Sequence, residues 1–169
     1  MSNIDLTKVK VFLCVPASGK SYLAQNDNRF VDLDREEEIY KYNLKPAKSE
    51  FEFAKMQGMH GEIINKDCEI VIKNRMLQYL QKGKIVLTAV RDYLISFLRE
   101  KGIPYAIVHF NPSASDEFRA RMITRGNVQP FVDKIIAFCG NNYLKWKNDA
   151  SAYACIELTG GLFLSDIVW

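Results

Sequence analysis

The residues best suited to chemistry in this sequence are a lysine and a serine that follow a glycine. Gly19, Lys20 and Ser21 fill the last three places of the pattern G-x-x-x-x-G-K-[ST]. In such a loop the backbone N–H groups wrap phosphate oxygens. The lysine reaches the outer phosphates, and the hydroxyl is placed for Mg2+. The first glycine of the pattern would fall at position 14, where the chain has Cys14. That glycine mainly eases the turn out of a strand, so a small side chain is tolerable there. The expected phosphate-binding stretch is Pro16, Ala17, Ser18, Gly19, Lys20, Ser21 and Tyr22. The tetrapeptide "SGKS" alone would be a weak signal. Its position after an apolar strand and at the opening of a helix is the context the pattern requires.

A second group of chemical residues lies in "FVDLDRE". Asp32 and Asp34 are two apart, and a period of two would point both to one face of a strand. One carboxylate can hold the water shell of Mg2+, a role expected of Asp32 beside Ser21. The other, Asp34, can accept a proton from an attacking hydroxyl or orient an acceptor. Arg35 could anchor an anionic acceptor. Glu36, Glu37 and Glu38 read instead as acids at a helix start. Further along, "FRARMITRGN" carries Arg119, Arg121 and Arg125. Arg121 and Arg125 are four apart and share a helix face, an arrangement suited to a transferring phosphate. Thr88 and Arg91 stand at the end of another strand, where a substrate-facing pair would be.

These residues need a frame. Residues 9–15 form a short apolar run, read as a buried strand, and "RFVDLD" (29–34) reads as a second. From Glu36 to Lys82 the pattern is mostly helical, interrupted at Pro46 and near "QGMHG", with Ile63, Ile64, Ile70, Val71, Leu77 and Leu80 near helical spacing. "KGKIVLTAV" is a strand, "RDYLISFLREKG" an amphipathic helix stopped by Gly102, and "PYAIVHF" a strand. "SASDEFRARMITRGN" is a polar helix, and a longer helix begins at Pro130. The tail "YACIELTGGLFLSDIVW" holds a strand, a Gly-Gly turn and a short apolar return. Strands that are continuous apolar runs and alternate with helices predict a parallel sheet covered on both faces.

Composition removes several alternatives. The 169 residues suggest one domain, 1–169. Apolar residues make 48% of the chain and charged residues 25%, an ordinary globular mixture. A net charge of +3 does not by itself imply nucleic acid or a membrane surface. Four cysteines without a CxxC pair, and two histidines, argue against a zinc site and for a reducing compartment. No apolar run is long enough to span a membrane, and the start lacks a signal-peptide core. A cytoplasmic protein is expected.

The quoted elements resemble those of the small P-loop kinases of nucleosides, nucleotides and shikimate, and most of all the nucleotide-kinase-like proteins of bacteriophage genomes. The resemblance rests on "PASGKS", "FVDLD", "KIVLTAV" with its following arginine, "RARMITRGN" with the long helix carrying Trp146, and "IELTGGLFLSDIV". It implies an α/β three-layer sandwich of P-loop NTPase type, with a five-stranded parallel sheet in the order 2-3-1-4-5. It also implies ATP as donor, Mg2+ and a mobile arginine-bearing lid, a short one around 115–130. Three departures stand out: Cys14, Lys66 where shikimate kinases carry an arginine, and "TAV" in place of their glycine triplet. Shikimate is therefore disfavoured. Polynucleotide 5′-hydroxyl kinases share the same plan, which keeps nucleic-acid ends open as acceptors.

The expectation is thus an ATP-dependent phosphotransferase acting on a nucleotide or nucleoside, a (deoxy)nucleoside monophosphate foremost, as a monomer or homodimer. Lys20, Asp34, Arg121 and Arg125 would be catalytic. Asp34, Arg35 and Arg91 would bind the acceptor, and Ser21 and Asp32 the metal. The rivals are a polynucleotide or DNA-base kinase and a non-catalytic nucleotide-binding protein.

Overall fold

The structure is a computed structural model that describes residues 5–35, 40–41, 63–64 and 67–168. The expectations for Glu36–Glu38, for helices around Pro46 and "QGMHG", and for Lys66 lie outside the described residues.

Five strands form the main sheet: β1 (Val11–Cys14), β2 (Phe30–Asp32), β3 (Ile85–Ala89), β4 (Tyr105–Phe110) and β5 (Ala154–Leu158). Their order is β2-β3-β1-β4-β5, and every pairing is parallel. The sequence shows why. All residues of β1 and β4 are buried, as continuous apolar runs demand when both faces are covered. At one edge, β5 alternates buried and half-buried positions.

The helices are α1 (Lys20–Asn26), α2 (Cys68–Gln81), α3 (Asp92–Lys101), α4 (Ser115–Thr124) and α5 (Gln129–Lys147). Helix α3 stops at Gly102, whose φ of 63° is the left-handed conformation that glycine adopts without steric penalty. Pro130 lies in the first turn of α5. Helix α4 is fixed to the sheet by Phe118, which stacks on Phe110 of β4 at 4.3 Å between centroids.

One expectation is corrected. Ile63 and Ile64 do not continue a helix; they pair antiparallel with Tyr40 and Lys41 in a two-residue ladder. A few apolar residues at mixed spacing fit either period, and adjacent β-branched residues fit a pleated surface. The helix begins only at Cys68.

The strand order positions the site. The connection leaving β1 runs toward β2, whereas those leaving its neighbours β3 and β4 run the other way. The carboxyl end of β1 is therefore a topological switch point, where open α/β sheets leave a crevice. Cys14 pairs with both Ala89 and Val108, so β1 and β3 end level at that crevice, and β4 runs two residues further, to Phe110.

Candidate phosphate-binding site

The loop after β1 is bent by two residues of positive φ. Ala17 has φ 61° and Gly19 has φ 91°. For glycine this is unstrained; for alanine it costs on the order of 1 kcal/mol. Ser18 is fully buried between them, and its hydroxyl has no hydrogen-bond partner. Its carbonyl accepts from the Leu164 N–H at 2.9 Å. Gly19 has a second reason to be glycine: an added Cβ would lie 3.1 Å from Phe163. Tyr22, on the first turn of α1, is largely exposed.

Lys20 opens α1 and turns its ammonium onto the end of β2. Its Nζ lies 3.9 Å from Asp32 Oδ2 and 3.3 Å from Asp34 Oδ2. Burial disfavours the charge on Lys20, but the two carboxylates outweigh it and hold its pKa above the usual range. Asp32 is buried, which pushes its pKa up, although Lys20 and the Ser21 hydroxyl pull the other way. Ser21 Oγ donates to Asp32 Oδ2 at 2.6 Å.

The two aspartates converge as expected, but not by pleating. The strand ends at Asp32, and Leu33–Arg35 is a 3-10 turn. Asp32 Oδ1 accepts from the Asp34 N–H at 3.1 Å and so closes the turn, a habit of aspartate at chain reversals. Leu33 is buried between them as the anchor. Arg35 ends the turn and is exposed.

Thr88 and Arg91 complete the cluster from β3. Thr88 Oγ1 donates to Asp34 Oδ1 at 3.1 Å, and Arg91 Nη1 donates to Thr88 Oγ1 at 3.1 Å. Arg91 Nη2 also donates to Asp34 Oδ1 at 3.2 Å. Asp34 therefore links Lys20, from the loop after β1, to Arg91, from the end of β3. Tyr93 follows in the first turn of α3; its hydroxyl is buried without a partner, and desolvation pushes its pKa up to about 12.

The arginines of α4 divide. Arg125 caps the end of the helix, near enough to Lys20 that its charge opposes the ammonium. Arg121 is committed elsewhere. It pairs with Glu117 and donates from Nη1 to the Leu162 carbonyl at 3.0 Å. Its guanidinium lies between the rings of Phe118 and Phe163, 4.6 Å and 4.1 Å from their centroids. Arg119 pairs with Asp133 of α5. Sequence reasoning missed the contacts made by Glu117, Leu162, Phe163 and Leu164; "GGLFL" signals only an apolar return.

Cys14 is buried and its thiol faces the Phe12 carbonyl at 3.6 Å. Desolvation pushes its pKa far up, so it is a packing residue and not a nucleophile. Neither a scan against protein-family models nor a search of curated proteins returned a match. Among the described residues, no helix is long and apolar enough to cross a membrane.

Proposed function

We propose that this protein is an ATP-dependent phosphotransferase that moves the γ-phosphate to a nucleotide or nucleoside, with a (deoxy)nucleoside monophosphate as the foremost acceptor. The observation that carries the reading is the convergence on one switch point of Lys20, Asp32, Asp34 and Arg91, beside a loop bent at Ala17 and Gly19. Nothing in packing requires two carboxylates and two cations clustered with little exposure to solvent, whereas phosphoryl transfer needs such charges fixed beforehand.

In this reading the loop amides and Lys20 hold the outer phosphates of the donor. Ser21 and Asp32 offer a hydroxyl and a carboxylate, hard oxygen donors that suit Mg2+, which takes its other ligands from water and phosphate. When bound, the ion would neutralise charge on the phosphates. Arg91, with Arg35 at the rim, would bind the acceptor's own phosphate. The bond from the γ-phosphorus to its bridging oxygen breaks as a bond to the acceptor oxygen forms, and the nucleoside diphosphate leaves. Arg125 would add charge from the α4 side. Arg121 would have to release Glu117 and Leu162 to take part.

The hydrogen bonding of Asp34 favours a monophosphate acceptor over a hydroxyl. Its Oδ1 already accepts from Thr88 and Arg91, and its Oδ2 faces Lys20. A monophosphate oxygen is already ionised and needs no base, so Asp34 can serve as an orienting group. Four free cysteines fit a cytoplasmic setting. The test is ATP turnover with Mg2+ against nucleosides, nucleoside monophosphates and 5′-hydroxyl oligonucleotides. Turnover with monophosphates is expected. Turnover confined to oligonucleotides would replace the acceptor assignment. Nucleotide binding without turnover on any acceptor would leave a binding protein, and absence of both would end the reading.

A further inference from the structure

The segment that follows β5 meets the phosphate loop at two points. The Leu164 N–H donates to the Ser18 carbonyl at 2.9 Å. Phe163 lies where any side chain on Gly19 would have to go, at 3.1 Å. The Phe163 N–H donates to Asp166 Oδ2 at 2.7 Å, which fixes the local turn. Leu164 and Val168 are buried and anchor the segment in the core. Arg121 then joins it to α4 through the Leu162 carbonyl and the Phe163 ring.

From these contacts we infer that Phe163 is a positioning residue for the phosphate loop, and that Arg121 holds Phe163 in place. The proposal rests on the phosphotransferase reading for its functional consequence, but not for its mechanics. The loop carries an alanine at φ 61°, a conformation that persists only where surrounding contacts impose it. The segment after β5 supplies such contacts on the next two residues, Ser18 and Gly19. Phe163 is 40% exposed, more than a ring retained for core packing would be. Its inner edge meets Gly19 and its face meets the Arg121 guanidinium. The ring acts as a wedge: it restrains the residue immediately before Lys20, and so the direction in which Lys20 leaves the loop. Stacking of a guanidinium on an aromatic face supplies the hold.

The test compares the full chain with Phe163→Ala and Phe163→Tyr. Amide exchange of residues 17–20 is measured without nucleotide, and affinities for ATP and for inorganic tripolyphosphate are measured with Mg2+. Phe163→Ala is expected to speed exchange in the loop while leaving Tyr105–Phe110 protected. It should weaken ATP and tripolyphosphate alike, by about tenfold, and Phe163→Tyr should restore both. Exchange unchanged by Phe163→Ala overturns the proposal. So does faster exchange shared by Tyr105–Phe110, which would mean global loosening. A loss for ATP without a loss for tripolyphosphate also overturns it, because the ring would then act on the base. If the unaltered chain binds neither compound, the phosphotransferase reading fails, and the exchange comparison alone still decides whether Phe163 restrains the loop.

Discussion

Two polar clusters stand toward the carboxyl end of the sheet, one on each side of β1, and they differ in how their carboxylates are treated. On the β2–β3 side, Asp32 is buried and its pKa is pushed up by desolvation. On the β4–β5 side, Glu157 accepts from Asn111 Nδ2 at 3.0 Å and from Tyr143 Oη at 2.8 Å, with Lys147 at 3.6 Å. The Asn111 bond foremost holds its pKa below the usual range, against its burial, with Tyr143 and Lys147 adding to it. Glu157 is a carboxylate satisfied by its surroundings. Asp32 is held where its charge is disfavoured, beside a lysine and a strained loop. Groups kept in that condition are candidates for function, whereas saturated networks stabilise structure. His109 is the exception on that side: it is buried against Tyr143, with ring centroids 5.5 Å apart, neither ring nitrogen has a hydrogen-bond partner, and desolvation pushes its pKa down.

The sharpest way to break this contrast is to substitute one charged group on each side. Lys20→Met should reduce turnover by on the order of 10²–10³-fold, as removal of one preorganised charge donor does. Glu157→Gln should leave turnover within about twofold and instead lower stability by about 1–2 kcal/mol, because hydrogen bonds to a charged group weaken. Turnover and denaturant unfolding of the two variants are the measurements. Equal loss of turnover in both would show that the division into working and structural clusters is wrong.

Asp34→Asn sharpens the reading of the first cluster. Removal of a general base would lower turnover by about 10²–10⁴-fold. An orienting carboxylate should matter less, and about a tenfold loss is expected. Asp32→Asn should show the stronger dependence on Mg2+, with turnover partly recovered at high concentration. A loss of 10³-fold or more in Asp34→Asn would point to a hydroxyl acceptor.

What the sequence revealed follows the range of the interactions. The buried strands were legible because a doubly covered parallel strand must be an apolar run, and Gly102 was legible because a helix stop is local. Lys20, Ser21 and the two aspartates were legible as types and spacings. The geometry joining them was not. Asp34 reaches Lys20 through a 3-10 turn closed by Asp32, which a strand-period argument did not foresee. Its partner Arg91 is 57 residues away, a distance at which no local pattern carries information. Arg121 and Arg125 were legible as a pair four apart, yet Arg125 falls at the cap beyond the helix and the Arg121 guanidinium is claimed by Phe163 and Leu162 from the far end of the chain. The strand order, too, is written in no single residue; the family resemblance implied it.

The two clusters should also answer pH with opposite sign. Burial holds the folded pKa of His109 below its usual 6.5. Between those values the unfolded chain binds more protons, so stability rises with pH there. The contribution is complete above about 6.5 and is lost as pH falls toward the folded value, by ~1.4 kcal/mol per unit of difference. Asp32 runs the other way: its folded pKa lies above the usual 3.8. The native state binds more protons between those values, so its contribution is present below 3.8 and lost as pH rises through the folded value. Denaturant midpoints from pH 4 to 8 should show a flatter acid limb in His109→Phe than in the unaltered chain. An unchanged limb would mean that His109 does not stay neutral when buried.

The smallest effect is expected at Ala17, where three terms nearly cancel in stability. Ala17→Gly relieves a left-handed alanine, worth roughly 1–2 kcal/mol. Against that, glycine frees the unfolded chain by roughly 0.5–1 kcal/mol. A buried methyl is also lost, worth about 0.8 kcal/mol; Ala17 is 6% exposed. The unfolding midpoint should therefore barely move. Binding has no such compensation. The glycine loop would sample more conformations before a phosphate arrives, and ordering it would weaken ATP by about threefold, since every 1.4 kcal/mol is tenfold. Equilibrium binding together with denaturant unfolding separates the terms. A gain of more than about 1 kcal/mol in stability with weaker binding would mean that the left-handed alanine stores strain for the site. Tighter binding would mean that the alanine hinders the loop, and that the difference between the two clusters lies in their charges alone.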